Sequence, residues 1–526
     1  MSPRSLRVLL PALALLVLSP ARAQDGFTPK AEHVVLVVWD GMRPDFITRQ
    51  IAPTLHALAK SGTFFARHHS IYITSTEVNG TAIATGCYSG RNGILANAEY
   101  RPSISPQYPF ATESPGAIRL GDAQSGGRYV RVPTIAELVQ KSGHRTAIAG
   151  TKPVALLHDR QSDRTGTHGS AVLFAGNMFP NAALGAIHND LGKFPPVPAN
   201  NVNTPNIAQN AWTTRVLIDQ LWKDGVPKFS TLWLSDPDFS QHRTQPGSPT
   251  AIAAIRSSDA QLALLLGALE RKGVRAKTDV FVVSDHGFST IERGFDLTTF
   301  FKRARITIVR EFSPVPKPGE VLAVPLGGSN LLYVRDRDPA LIGRIVEHLQ
   351  GSEFAGPIFT RDGLPGTFPL SEARIDSPDA ADVVFSSRWR LAPNRFRIPG
   401  LVMAETTAAG YGTHASTSPS DIHNTLVAAG PDIRADFVDE LPSGNVDVAP
   451  TILRILKIDP PEPLDGRVLS EALVGMKDAA LQPETRILES TLPVGTKVWR
   501  QYLKWTVLGE HSYLDEGNFG PAPGAE

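Results

Sequence analysis

The chain has 526 residues, with 52 basic and 51 acidic side chains, a formal charge of +1 with histidine neutral, and 42% hydrophobic residues. That even balance, with no basic stripe, argues against specific nucleic-acid binding. The single cysteine, Cys87, excludes an internal disulfide framework, so a chain of this length must rely on one large α/β core plus insertions.

Met1 to Ala23 carry Arg4 and Arg7, the apolar run Val8 to Leu18, and then Ala21-Arg22-Ala23. This reads as a secretory signal peptide cleaved before Gln24, with an uncleaved anchor as the alternative. Removing it leaves 49 basic against 51 acidic residues, a formal charge of −2. The apolar run is short for a bilayer, and no later segment is expected to approach the roughly 20 residues of a membrane helix. A periplasmic or secreted protein with no membrane span is the expectation.

Val34 to Trp39 is a continuous apolar run, as in a strand buried on both faces, and it ends at Asp40. A helix follows, with Pro53 near its start, Leu55 and Leu58 on one face, and Gly62 as a stop. Thr76 is expected to open a second helix through Ala82 and Ile83 to Gly86, with Asn79 on its first turn read as a capping residue. Segments 101–130 and 159–205, rich in Pro, Gly, Ser and Asn, read as long loops. Between them, Pro133 to Ser142 reads as a helix leading into the strand Arg145 to Ala149.

Phe229 to Leu234 and Val280 to Val283 are further buried-strand runs, and Ile252, Ile255, Asp259, Leu262, Leu266 and Leu269 mark a long amphipathic helix between them. Strand-like Asn330 to Val334 and helix-like Pro339 to Gln350 suggest a small α+β cap over 291–405. Past Leu469, Lys497 to Leu508 and His511 to Asp515 suggest a β-hairpin. The expected division is therefore a signal peptide at 1–23, core at 24–290, cap at 291–405, core again at 406–470 and a β extension at 471–526.

Chemistry-bearing residues cluster at five places: V-V-W-D-G at Asp40, the stretch Ile73 to Asn97 around Thr76, D-P-D-F-S-Q-H at Asp238 and His242, S-D-H-G at Asp285 and His286, and G-T-H-A-S at His414. A threonine hydroxyl must be bound to a metal or paired with a base before it can attack. Carboxylate and imidazole donors suit zinc, with manganese or another divalent ion less suited. Two ions roughly 3.5–4 Å apart can stabilise both the entering and the leaving oxygen of a displacement at phosphorus. Taken singly, each residue has a bland reading: Asp40 as a helix cap, Asp285-His286 as a turn, His242 or His414 as a surface histidine.

Together, in this order, the motifs resemble the alkaline phosphatase superfamily and its nucleotide pyrophosphatase/phosphodiesterase branch, from His33 to about Leu469. The resemblance implies an α/β sandwich of a largely parallel central sheet between helices, with a cap that shapes the substrate pocket. It assigns Asp40, Thr76, Asp285 and His286 to the metal site that activates the nucleophile Thr76, and Asp238, His242 and His414 to a second ion. Asn97, 21 residues after Thr76, takes the place of the family's donor to a nonbridging phosphoryl oxygen. It further implies a small-molecule phosphate ester as substrate, two divalent ions, zinc preferred, and a phospho-threonine intermediate.

Other candidates read as decoys. G-T-H-G-S at His168 precedes the Asp238 cluster, whereas the family's last histidine follows S-D-H; His68, His69 and His423 have no motif and read as structural. C-Y-S-G-R at Cys87 is a near miss to the sulfatase signature, but the sulfatase cysteine precedes T-G by nine residues, and Thr76 holds that place before Thr85-Gly86. The closer rival is a phosphate monoesterase or phosphonoacetate-type hydrolase. Lys152 resembles the lysine that monoesterases supply, although Val154 replaces its usual partner, and D-F-S-Q-H-R-T-Q-P-G resembles phosphonoacetate hydrolases. A non-catalytic metal-binding protein is the alternative of a different class.

Overall fold

Strand β1 (His33–Trp39) shows why its sequence is apolar throughout: Val34, Leu36 and Val38 enter the core on one side of a sheet, and Val35, Val37 and Trp39 enter the core on the other. The computed structural model describes residues 27–160, 168–198, 204–315, 317–406, 408–476, 482–495 and 497–523, so the expected signal peptide lies outside the described residues. Among them β1 sits centrally in a nine-stranded sheet. The other strands are β2 (Thr63–His69), β3 (Thr146–Gly150), β4 (Ala171–Phe174), β5 (Asn177–Phe179), β6 (Phe229–Leu234), β7 (Thr278–Val283), β8 (Leu426–Ala429) and β9 (Phe437–Gly444). Their spatial order is β9-β2-β8-β7-β1-β6-β3-β4-β5. Strands β7, β1, β6, β3 and β4 are mutually parallel, while β8 and β5 run against their neighbours.

Helices cover both faces. Thr76–Thr85, Ile135–Lys141 and Asn445–Leu456 pack through Ile83, Leu138 and Ile452 on one side, and Pro53–Ser61 and Pro249–Arg271 pack through Leu55 and Leu262 on the other. Thr134 and Glu137 form a reciprocal capping box that starts the Ile135 helix. Pro249–Arg271 is, by length and composition alone, long and apolar enough to cross a membrane, contrary to the expectation that no later segment would be. Half of its most apolar window is buried, and Asp259 on its inner face accepts the backbone N–H groups of Thr54 and Leu55, as in a core helix.

The parallel strands decide where the site lies. β1, β6, β7 and β3 all end at one edge and there deliver Asp40, Asp238, Asp285 and Lys152, the edge at which open α/β sheets place ligands. A six-stranded sheet running from Thr307 to Ser387, with the helix Pro339–Gln350, builds the cap region, and a four-stranded sheet including Ser289–Phe295 and Pro399–Glu405 connects it to the core.

Three expectations need correction. The 101–130 segment holds a helix, Pro115–Ser125, ended by Gly126 in the left-handed conformation, rather than a continuous loop. Within 159–205, β4 and β5 extend the main sheet and Leu184–Leu191 is helical; four- and three-residue strands are too short to show a period. The carboxyl-terminal hairpin is a three-stranded sheet, because Glu484–Val494 pairs with Lys497 through Val507. The first four residues of Glu484–Val494 are exposed, and only the half-buried alternation Leu488, Ser490, Leu492 and Val494 carries an apolar signal.

Candidate active site

Asp40 leaves β1 into Gly41, whose φ of +71° and contacts fix its identity: a Cβ there would lie 3.0 Å from the Asp238 Cβ. Gly41 N–H donates to Asp285 Oδ1 at 2.9 Å, and Asp238 N–H donates to the Asp40 carbonyl at 2.9 Å, which ties three strand ends together. Trp233 on β6, fully buried, donates its indole N–H to Asp40 Oδ2 at 2.9 Å. Asp238 and His242 stand four residues apart on the helix Asp238–Arg243, with His242 Nε2 3.2 Å from Asp238 Oδ1.

The histidines converge through one repeated device. His286 Nδ1 lies 2.9 Å from the Gly287 carbonyl and His414 Nδ1 2.9 Å from the Thr74 carbonyl, so each Nδ1 carries the hydrogen and each Nε2 is turned inward. His286 Nε2 is 3.3 Å from Asp285 Oδ2, 3.3 Å from Thr76 Oγ1 and 3.7 Å from Asp40 Oδ1. His414 Nε2 is 3.1 Å from His242 Nε2 and 3.5 Å from Asp238 Oδ1, and the His286 and His414 rings stack at 3.7 Å. Phe288 packs its edge on His242.

Thr76 is the first residue of the helix Thr76–Thr85, and Ser75 before it makes no side-chain capping bond. A helix start of this kind presents N–H groups and a positive dipole end to an anion. Asn97 Oδ1 accepts the Glu77 N–H at 3.2 Å, which holds the Asn97 amide against the first turn. Asn79 is not a cap: its side chain accepts from Ile71 N–H and donates to the Ile71, Ile73 and Ser75 carbonyls, clamping the loop that presents Thr76. Gly80 packs directly on the Trp233 ring, where a Cβ would meet the indole at 3.0 Å. Trp233 thus supports both the Thr76 helix and Asp40.

Lys152, one residue beyond Thr151 at the end of β3, reaches into the cluster with Nζ 2.6 Å from Asp238 Oδ2 and 2.9 Å from Asp40 Oδ2. Burial pushes Asp40 well above the usual carboxylate range, helped by Asp285 beside it, and lifts Asp285 to about 7. Asp238 goes the other way: burial opposes its charge, but Lys152 and His242 outweigh it and hold it low. Burial would depress Lys152, yet Asp238 and Asp40 keep its pKa well raised. Burial, with His286 and His242 adjacent, holds His414 well below the usual histidine value.

These groups fit two divalent cations. Asp40 Oδ1, Asp238 Oδ1 and Asp285 Oδ2 are buried without a hydrogen-bond partner, and donor atoms of Asp40, Asp285 and His286, and of Asp238, His286 and His414, lie within 4.8 Å of one another. Three buried carboxylates against one ammonium leave an excess of negative charge that dications would neutralise.

A further pair was not legible in the sequence. Glu77 and Glu113 are buried together beside Lys152, their carboxyls hydrogen-bonded to each other and pushed up chiefly by burial. The only prior signal was Glu77's place next to Thr76. His168 lies exposed in a turn before β4 and belongs to neither group. His68 is bound by Ser443 and Asn445. Cys87 is buried, with its thiol pushed up to about 11 by burial.

Comparison with known proteins agrees with this geometry. The family profile described as type I phosphodiesterase / nucleotide pyrophosphatase matches residues 34–415. Human ectonucleotide pyrophosphatase/phosphodiesterase family member 7 is 22% identical over 491 residues, covering 92% of this chain and 92% of its own length. The bis(5'-adenosyl)-triphosphatase enpp4 of Xenopus laevis is 23% identical over 277 residues, 51% of this chain and 50% of that protein. The solved structure of murine ectonucleotide pyrophosphatase/phosphodiesterase 5 shares the fold with a TM-score of 0.59 at 16% identity, over 84% of this chain and 100% of that one. Together, the matched span and the paired donor clusters show that the chain belongs to the type I phosphodiesterase / nucleotide pyrophosphatase family and is a metal-dependent hydrolase of phosphodiester or pyrophosphate bonds.

Proposed function

We propose that the protein cleaves a small phosphate diester or nucleotide pyrophosphate through a covalent intermediate on Thr76, with two zinc ions held by Asp40, Thr76, Asp285 and His286 and by Asp238, His242 and His414. The observation that carries this reading is the placement of Thr76 Oγ1 at a helix start, 3.3 Å from the Nε2 of His286, the residue common to both donor groups. When bound, the two ions supply Lewis-acid stabilisation of the entering and leaving oxygens. The helix start favours negative charge on Thr76 Oγ1 and on the phosphoryl group it attacks. Asn97, its Oδ1 already engaged by Glu77 N–H, offers its Nδ2 hydrogens to a nonbridging oxygen. One P–O bond forms at Thr76 as its hydroxyl proton passes to solvent and the bond to the leaving oxygen breaks, that oxygen departing as an alcohol on protonation by solvent; water then attacks phosphorus, and Thr76 leaves and regains a proton.

Substituting Thr76→Ala should abolish diester turnover with the fold intact, and Thr76→Ser should keep part of it; full activity in Thr76→Ala would remove the covalent step. A monoesterase is the second reading, favoured by one observation, that Lys152 lies inside the donor cluster. Ecto- and venom phosphodiesterases among the relatives are consistent with secretion. Cleavage before Gln24 and a periplasmic destination are part of the proposal, checked by the amino-terminal mass of the exported protein.

A further inference from the structure

The device that orients His286 and His414 recurs at a place the reaction does not use. His69, at the end of β2, has Nδ1 2.8 Å from the Ser443 carbonyl and Nε2 2.9 Å from Asp515 Oδ1. A ring nitrogen facing a carbonyl must carry the hydrogen, so a neutral His69 presents an Nε2 lone pair to a carboxylate. Two lone pairs held that close call for a cation. His423 supplies a second imidazole: its ring centroid is 4.6 Å from that of His69, and one donor atom from each of His69, His423 and Asp515 lies within 4.8 Å of the others.

The surroundings suit a ligand set. Asp515 Oδ2 accepts the Thr506 hydroxyl at 2.8 Å, the kind of outer hydrogen bond that steadies a metal-binding carboxylate. Arg67 donates to that same hydroxyl at 2.9 Å, which leaves Asp515 Oδ1 to His69. The three residues are far apart in the chain, on β2, just before β8 and on the strand His511–Phe519.

We propose that His69, His423 and Asp515 bind a further divalent cation, zinc by its donors, that staples the carboxyl-terminal sheet to the core. Three protein donors leave a fourth position for water, on the side where His423 is partly exposed. The competing occupant is a proton, which would make His69 and Asp515 a plain ion pair.

The test compares metal content by elemental analysis after zinc loading and dialysis, in the wild type, Asp515→Asn and His423→Gln. Each variant should hold one zinc fewer per chain than the wild type, keep diester turnover at saturating zinc, and lose part of the zinc-dependent rise in Tm. The count is a difference, so it stands whatever number of ions the active site holds. Equal zinc in all three proteins would overturn the proposal and leave the proton-bridged pair. Should the variants fail to fold, anomalous diffraction from zinc-loaded wild-type crystals decides: a peak among the three side chains supports the site, and its absence overturns it.

Discussion

Lys152→Ala separates the two readings of substrate class. The substitution removes an ammonium 2.6 Å from Asp238 Oδ2 and 2.9 Å from Asp40 Oδ2. In the metal-free protein it leaves buried carboxylates without their cation, and breaking such a pair costs about 3–5 kcal/mol. That loss should shrink when divalent ions are added, because they neutralise the same oxygens. For turnover, a monoester dianion carries one more charge than a diester monoanion, and a hydrogen bond between charged groups contributes about 1.5–3 kcal/mol. At about 1.4 kcal/mol per decade, the monoester should lose roughly 10- to 150-fold in kcat/KM. The assay measures kcat/KM for an aryl phosphate monoester and an aryl phosphate diester in both proteins. Diester turnover should dominate in the wild type and survive the substitution. Equal losses on both substrates would refute a direct charge contact with the phosphoryl group. A wild type that prefers monoesters, with the preference gone in Lys152→Ala, would replace the diesterase reading with the monoesterase one.

Trp233→Phe removes the indole N–H that holds Asp40 while keeping an aromatic ring under Gly80, so zinc affinity should fall by about 10- to 100-fold in a chelator-competition titration; unchanged affinity would count against this positioning role. His414→Ala should lose bound metal and activity whereas His168→Ala should lose neither, as elemental analysis and turnover will show. His158 is buried beside Trp233 without a partner for Nε2, and burial lowers its pKa from 6.5 to about 4. The unfolded chain therefore binds a proton at His158 before the folded one does, so its contribution is intact above pH 6.5 and is lost as pH falls toward 4. At 1.36 kcal/mol per unit this amounts to roughly 3 kcal/mol. His158→Leu should flatten the fall in Tm over that window, and an unchanged profile would contradict the assignment.

Much of the site was legible because its supports are local. Val34 to Trp39 and Val280 to Val283 announced themselves as apolar runs buried on both faces, Phe229 to Leu234 did so despite the fully buried Ser230 and Thr231, and the charged residues after them marked the sheet edge. The helix from Thr76 to Gly86 was readable for a similar reason, since Gly86 ends it in the left-handed conformation. Lys152 was not settled by sequence, because its reach depends on β3 lying beside β6, a pairing between residues about 80 positions apart. The roles of Trp233 and of the Glu77–Glu113 pair likewise depend on which side chains face each other across elements. β4, β5 and the strand Glu484–Val494 escaped notice for a different reason: the first two are very short, and the third is exposed over its first four residues.

The most direct test of the account is acid-quenched turnover of a labelled phosphate diester, followed by mass analysis of the peptide that carries Thr76. The account predicts an adduct on Thr76 that retains phosphorus and the second alcohol of the diester, formed within the first turnover and absent from Thr76→Ala. Steady-state turnover with no adduct on that peptide, or an adduct on another residue, would contradict it.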